Sequence, residues 1–365
     1  MIKQLDLQTI TAAHHQEYMA AIERVVKSGW FLLGEETRLF EQEFAASVGK
    51  GHAVGIGNGL DALRLILRAY KEQGRLRDGD EVLVPANTYI ATLLAITDNR
   101  LVPVLVEPTW EHLELDDRLL EQHLTPRTRA VMLVHLYGRN AYTEHIGAFC
   151  RQNSLLLLHD CAQCHGLKVP EGDALAYSFY PGKNMGAFGD AGAVATDDGE
   201  LADLVRALGN YGSQRKYVFR YEGINSRMSE MDAAVLRVKL KHLAEDNRQR
   251  QRLAAYYYDN ISNPLITLPL RLPDEECVYH QFPIFCECRD ELQQHLQARG
   301  IQTLIHYPIP PHHQECYAHA AWNTPRLSLP VTERIHRQEL SVPMSQVVTP
   351  NDADAVVAAV NAFGR

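Results

Sequence analysis

The feature that most constrains the fold is a series of continuous apolar runs, each about as long as a β-strand. Such runs occupy residues 81–85, 102–106, 130–135 and 155–158, and segments with helical spacing separate them. A strand that is apolar on both faces must be covered on both faces, which is typical of a parallel sheet between two layers of helices. We therefore predict an α/β fold whose ligand site lies at the carboxyl ends of the strands.

The other elements follow from periodicity and from glycine and proline positions. Helices are predicted over residues 11–28, 35–48, 89–97, 116–123, 142–152, 200–208, 228–258, 289–299 and 351–363. Further strands are predicted over residues 192–196, 278–285 and 301–306. The long, increasingly charged helix at 228–258 is interpreted as the bridge between two domains. We expect a large domain over residues 1–245 and a small α+β domain over residues 246–365.

Charge and composition exclude several classes of protein. The chain has 365 residues and a formal net charge of −9, with 36 basic and 45 acidic side chains. That balance, without long basic runs, argues against a nucleic-acid binder. No apolar run approaches the ~18 residues of a membrane span, and the first residues lack a signal-peptide pattern, so a cytoplasmic protein is predicted. The seven cysteines are scattered, and reduced thiols are expected.

A glycine-rich turn follows a short strand that is predicted to begin at about His52. Gly55, Gly57 and Gly59 precede an apolar helical pattern, and a helix N-terminus at this point would suit a phosphate group. The spacing matches neither the dinucleotide fingerprint nor the P-loop. An ordinary turn between strand and helix explains the residues equally well.

Two residues suggest carbonyl chemistry when they are taken together. Lys183 sits on a Pro-Gly turn, where a partly desolvated amine could form a Schiff base, although a single loop lysine is usually solvated. Asp160 ends a buried strand, where it needs a cation or donors, and it could equally cap the next helix. A lysine for an aldehyde, an acid for a ring nitrogen and an anion-binding turn together fit pyridoxal phosphate.

Two other motifs point to metals or redox chemistry. Residues 161–165 read Cys-Ala-Gln-Cys-His, the pattern of haem attachment and of a redox dithiol. Neither context is met, since no export signal is present and the motif follows a buried strand, so coincidence is favoured. Histidines are also concentrated at positions 306, 312, 313 and 319, where a zinc site is possible. Substrate contacts or a polar loop are favoured there.

Eight ordered segments then resemble one family, the DegT/StrS type of nucleotide-sugar aminotransferase, over nearly the whole chain. They are residues 57–63, 85–89, 134–138, 160–166, 178–184, 210–213, 225–227 and 306–308. The resemblance implies a fold-type I pyridoxal phosphate enzyme with a seven-stranded, mostly parallel sheet. Leu60 stands where many relatives carry Thr, so its phosphate contact would come from the backbone N–H alone.

The resemblance also implies a role for each matched residue. Lys183 would bind the cofactor aldehyde, Asp160 would pair with the pyridine nitrogen, Tyr89 would stack on the ring, and Gln163 would pack beside it. The phosphate would be held by Gly59, Leu60 and Ser178, and by Asn225 from a second subunit, which implies a homodimer. Residues near the nucleotide sugar would be Tyr211, Lys216, Tyr217, His306 and Tyr307.

The segments at 210–217 and 303–310 most resemble enzymes that act on thymidine diphosphate 3-keto-6-deoxyhexoses. We therefore expect transfer of an amino group from an amino acid, such as glutamate, for deoxyaminosugars of cell-surface glycans such as the lipopolysaccharide O-antigen. A 4-keto sugar aminotransferase and a non-catalytic sensor that binds the cofactor are the alternatives. A related dehydrase branch carries His at the lysine position, so Lys183 favours transamination.

Overall fold

The computed structural model describes residues 1–364 and is built around one seven-stranded sheet. The strands of this sheet are β1 His52–Ile56, β2 Glu81–Pro85, β3 Val102–Val106, β4 Thr128–Val134, β5 Leu156–Asp160, β6 Ala174–Ser178 and β7 Gly192–Thr196. Their order is β1-β7-β6-β5-β4-β2-β3, and β7 alone runs against its neighbours. The prediction of a mostly parallel sheet is confirmed.

Helices cover both faces of the sheet, as its apolar strands require. They are α1 Leu7–Ala12, α2 His15–Ser28, α3 Glu35–Ser47, α4 Gly59–Glu72, α5 Ile90–Asp98, α6 Leu120–His123, α7 Glu144–Asn153, α8 Gly199–Gly209, α9 Glu230–Asn260, α10 Arg289–Ala298, α11 Pro330–Gln338 and α12 Pro350–Asn361. Helices α4, α5 and α8 pack on one face with a large apolar core. On the other face, α3 and α9 enclose a second core with the segments around Cys161 and Phe179.

The C-terminal part has a small sheet and a core of its own. This sheet consists of β10 Phe282–Phe285 and β11 Glu339–Val342, which pair antiparallel. A separate short hairpin, β8 Ser213–Arg215 and β9 Val218–Phe219, precedes α9. Helices α10 and α12 and the end of α9 pack against it in an apolar cluster. Helix α9 runs without a break through the predicted domain boundary at residue 245, and the boundary itself stays a prediction.

Two local predictions were wrong, and two strands were missed. The predicted helix at 11–28 is two helices, because the chain breaks at Ala13 and His14. The predicted strand at 301–306 forms only isolated bridges, from Ile301 to Ile2 and from Leu304 to Ser341, and these partners lie on different segments, so no continuous ladder forms. Strands β6 and β11 were not predicted, since they have only five and four residues and β11 alternates polar with apolar side chains.

Within residues 1–364, the helices are all too short or too polar to cross a membrane.

Candidate active site

A cavity of about 1170 Å³ opens beside the carboxyl ends of the parallel strands and the first turn of α4. Nine of the predicted site residues line it. They are Gly59, Leu60, Tyr89, Asp160, Gln163, Ser178, Lys183, His306 and Tyr307. The strand ends and the turn after β1 therefore meet at one edge of the sheet, as the α/β pattern predicts.

Lys183 lies in a tight turn after β6. Its backbone N–H donates to the carbonyl of Tyr180 at 2.8 Å. The turn packs so closely on Gly186 that a Cβ there would lie 2.2 Å from the carbonyl oxygen of Pro181. Burial lowers the pKa of the Lys183 amine to about 8, against the opposing attraction of Asp160. A sizeable fraction of the amine is therefore uncharged near neutral pH, as a nucleophile requires.

Asp160 is the last residue of β5 and is 6% exposed. Its Oδ2 accepts a hydrogen bond from Thr92 Oγ1 at 2.9 Å, and its Oδ1 accepts one from the backbone N–H of Ala162 at 3.1 Å. Burial raises the pKa of Asp160, while these two bonds and the nearby Lys183 oppose that rise. A buried acid with donors on one side can pair with a protonated ring nitrogen in the cavity.

The start of α4 forms a cradle with Ser178. Asn58 caps this helix, because its side chain accepts from the backbone N–H of Asp61 at 2.8 Å. The N–H groups of the first turn have no partner within the helix and suit an anion. A Cβ at Gly59 would lie 2.5 Å from the Cβ of Ser178, so only glycine lets the helix come this close to the serine.

Aromatic and amide side chains form one wall of the cavity. The rings of Tyr89 and Tyr307 lie 5.0 Å apart, and Tyr89 is 51% exposed toward the open cavity. The amide of Gln163 is fixed at both ends, since its Oε1 accepts from the N–H of Tyr137 at 2.6 Å and its Nε2 donates to the hydroxyl of Tyr307 at 3.1 Å. This wall can hold a flat ring against Tyr89.

Four predicted residues do not line the cavity of their own chain. Tyr211, Lys216, Tyr217 and Asn225 are all exposed, on or beside the β8–β9 hairpin. Asn225 forms an isolated bridge with Asn210. The predicted contact of Asn225 with the phosphate of a second subunit stays a prediction.

Several cavity residues were not predicted. Thr92 does not line the cavity but donates to Asp160, and it could have been inferred from Tyr89, because a residue three positions later lies on the same face of a helix. Gln4, His135, His280 and Gln281 also line the cavity. His135 belongs to the matched segment at 134–138 but had no assigned role, and no local motif marks the other three.

The two motifs with open interpretations are also located. Cys161 and Cys164 are free, fully buried thiols in a group with His135 beneath the cavity floor. His312 and His313 approach Glu333 instead, away from the cavity.

The residues present fit pyridoxal phosphate on three independent observations. The cradle at Gly59 suits a phosphate, the buried Asp160 needs a cationic partner, and the desolvated Lys183 suits an aldehyde. All three groups line one cavity, which is large enough to hold a second molecule beside the cofactor.

Comparisons with known proteins agree with this geometry. A sequence model described as the DegT/DnrJ/EryC1/StrS aminotransferase family matches residues 12–361. The chain is 45% identical, over all of both chains, to dTDP-3-amino-3,6-dideoxy-alpha-D-galactopyranose transaminase from Aneurinibacillus thermoaerophilus. It is 46% identical to dTDP-3-amino-3,4,6-trideoxy-alpha-D-glucose transaminase from Streptomyces venezuelae, over 99% of this chain and 96% of that one. The crystal structure of DesV from S. venezuelae, solved with a ketimine intermediate, superposes with a TM-score of 0.93 at 45% identity, covering 98% of this chain and 96% of that one.

Proposed function

The chain belongs to the DegT/DnrJ/EryC1/StrS aminotransferase family, and we propose that it transfers an amino group to carbon 3 of a thymidine diphosphate 3-keto-6-deoxyhexose. It is a pyridoxal phosphate-dependent sugar aminotransferase, and its substrates are a nucleotide sugar and an amino donor. The observation that carries the proposal is the meeting of Lys183, Asp160 and the Gly59 cradle in one cavity.

The cofactor would be held by residues at its three functional positions. The first turn of α4 and Ser178 would bind the phosphate, and Asp160 would pair with the ring nitrogen. Tyr89 and Gln163 would enclose the ring. When bound, pyridoxal phosphate supplies an aldehyde for the amino group and a ring that accepts electrons from the adjacent carbon.

Lys183 would act as the acid and base of both half-reactions. Its uncharged amine would take a proton from one carbon and return it to another while the bound cofactor supplies the electron-accepting ring. The lowered pKa of Lys183, about 8, lets the amine exist in both protonation states near neutral pH. Asp160 would stay ionised through its bonds with Thr92 and Ala162 and through the positive ring nitrogen.

The choice of carbon 3 rests on the relatives. Two relatives at 45% and 46% identity are named as transaminases of dTDP-3-amino sugars, and each is matched over nearly its full length. His306 and Tyr307, which line the cavity, belong to the segment at 303–310 that resembles 3-keto sugar enzymes. A 4-keto sugar aminotransferase is the alternative substrate assignment.

A homodimer would complete the site. Residues 30–33 are four consecutive apolar residues, and each is between 43% and 63% exposed. The backbone of Leu32 pairs with Ser229, four residues after Asn225. An apolar loop of this kind favours contact with another copy of the chain, and such contact would bring Asn225 to a partner's phosphate. A cytoplasmic location stays a prediction from the sequence.

The test is spectroscopic. The protein with pyridoxal phosphate should show a visible absorbance band that disappears when glutamate is added and returns when the keto sugar follows. A cofactor-binding sensor would keep its band unchanged in glutamate. Turnover by Lys183→Ala at the wild-type rate would contradict the assignment of Lys183.

A further inference from the structure

A chain of hydrogen bonds leads from the cavity wall to a buried acid that the reaction described above does not use. The Nδ1 of His306 lies 2.8 Å from Ser341 Oγ, and Ser341 Oγ donates to Glu339 Oε1 at 2.6 Å. The backbone N–H of His306 donates to the other carboxylate oxygen, Glu339 Oε2, at 2.5 Å. Glu339 and Ser341 are both fully buried.

The strand β11 explains why the two buried residues act together. Successive side chains of a strand point to opposite faces, so Glu339 and Ser341 lie on one face. Their neighbours Leu340 and Val342 point the other way, into the apolar core of the C-terminal part. The backbone of Ser341 also pairs with Leu304, two residues before His306, which fixes the distance between the segments.

The direction of each hydrogen bond follows from the chemistry of the groups. An ionised carboxylate only accepts, so Ser341 must donate its single proton to Glu339. The serine oxygen is then free only to accept, and the proton between it and His306 must belong to Nδ1. Burial and the nearby Lys183 lower the pKa of His306 to about 4, so the ring is neutral. Its Nε2 therefore carries a lone pair.

We propose that Glu339 and Ser341 are positioning residues that hold His306 in one tautomer, with Nε2 presented to the cavity as an acceptor for a substrate hydroxyl. The inference rests on the proposed function, because a hexose supplies hydroxyl donors that a neutral imidazole nitrogen can accept. A lysine side chain could not accept this hydrogen bond from the substrate, because an ammonium group only donates.

The same chain of bonds predicts a response to pH. Burial raises the pKa of Glu339 to about 7, and Arg289, Ser341 and the His306 N–H oppose that rise. Tyr137 and Tyr307 also interact with this carboxyl, and Lys183 and His280 interact with His306. Once Glu339 is protonated, the carboxyl donates to Ser341 and the serine donates to Nδ1. One proton enters His306 at Nε2 from the cavity, so the acceptor becomes a donor.

The direct test is the tautomer of His306 in cofactor-free protein, read from the imidazole nitrogen shifts of ¹⁵N-histidine-labelled samples. The His306→Gln spectrum assigns the signal. At pH 8 the wild type should show protonated Nδ1 and bare Nε2, and the assignment should reverse below about pH 6. Bare Nδ1 in the wild type at pH 8 would overturn the proposal.

Two variants sharpen this measurement. In Glu339→Gln, the amide oxygen can accept from the His306 N–H while the NH₂ donates to Ser341, so the tautomer should be reversed at every pH. Ser341→Ala removes the bond to Nδ1, and the pH dependence of the tautomer should disappear. Ser47→Ala is the control, since this hydroxyl donates only to the carbonyl of Phe44 on α3. Melting curves confirm folding, and the wild-type titration decides the matter if a variant does not fold.

Kinetics test the substrate part separately. Loss of the acceptor should lower kcat/KM for the keto sugar about tenfold in Glu339→Gln, the effect of one hydrogen bond. A reversed tautomer with unchanged kcat/KM would overturn the contact with substrate and leave the aminotransferase assignment intact. The tautomer is measured without cofactor or substrate. If the proposed function failed, the expected tautomer would still be seen, but the keto sugar would not be converted.

Discussion

Replacing Gly59 with alanine tests the phosphate cradle at its narrowest point. The new methyl group would lie 2.5 Å from the Cβ and 3.0 Å from the Cα of Ser178. The first distance is shorter than carbon atoms tolerate, and the second is an unusually tight contact with a backbone atom. Either the first turn of α4 or the end of β6 must move, and both carry groups that we propose bind the phosphate.

The size of the effect follows from the cost of overpacking. Forcing an extra methyl group into a well-packed site costs about 1–3 kcal/mol. In the cofactor-free variant, the first turn of α4 can move away from Ser178 and relieve the clash. Binding of the phosphate requires the turn to move back, so the cost of overpacking lowers the affinity for the cofactor. At about 1.4 kcal/mol per factor of ten, the dissociation constant should rise by about 5- to 150-fold.

The assay is titration of cofactor-free protein with pyridoxal phosphate and, separately, with pyridoxal. The affinity loss in Gly59→Ala should be larger for the phosphorylated ligand, because the cradle contacts only the phosphate. Gly51→Ala is the matched control, since a Cβ there would meet Asp197 at an ordinary 3.7 Å. Equal loss for both ligands, or wild-type affinity in Gly59→Ala, would refute the cradle.

Three further predictions concern the polar groups of the site. Asp160→Asn removes the charge that pairs with the ring nitrogen, so kcat should fall by about 10²–10³ in the glutamate half-reaction, measured by stopped-flow absorbance; a change below threefold would contradict the pairing. Thr92→Val leaves Asp160 Oδ2 without its donor and should lower the free energy of unfolding by about 1–3 kcal/mol in urea denaturation, whereas an unchanged midpoint would refute the contribution of this bond. The pKa of Lys183 is lower in the folded protein than in the unfolded chain, so folding releases protons between pH about 8 and 10.5. As the pH rises over that range, the free energy of unfolding of cofactor-free wild type should therefore increase relative to that of Lys183→Met. Parallel plots of unfolding free energy against pH for the two proteins would contradict a desolvated lysine.

The sequence predicts the large sheet well because its strands are buried on both faces. Continuous apolar runs such as 130–135 allow few other interpretations, and they place Asp160 and the turn at Gly59 on the same edge. Lys183, Asp160 and Gly59 were each ambiguous when considered separately. Their order along an α/β chain made the cofactor site predictable.

The small C-terminal sheet was predicted poorly for a physical reason. Strand β11 has the sequence Glu-Leu-Ser-Val, which reads as half polar because Glu339 and Ser341 face His306 instead of the core. The apolar run at 301–306 read as a strand, yet its backbone pairs with two separate segments. Partners so distant in sequence leave no periodic signal, and His280 escaped prediction for the same reason.

The most direct test of the account follows the nitrogen itself. The protein, pyridoxal phosphate and ¹⁵N-glutamate would be incubated with a thymidine diphosphate 3-keto-6-deoxyhexose, and the nucleotide sugar analysed by mass spectrometry and NMR. The account predicts ¹⁵N bound to carbon 3 of the sugar and none in the same reaction with Lys183→Ala. A sugar without ¹⁵N, recovered from protein that binds the cofactor, would contradict the central claim.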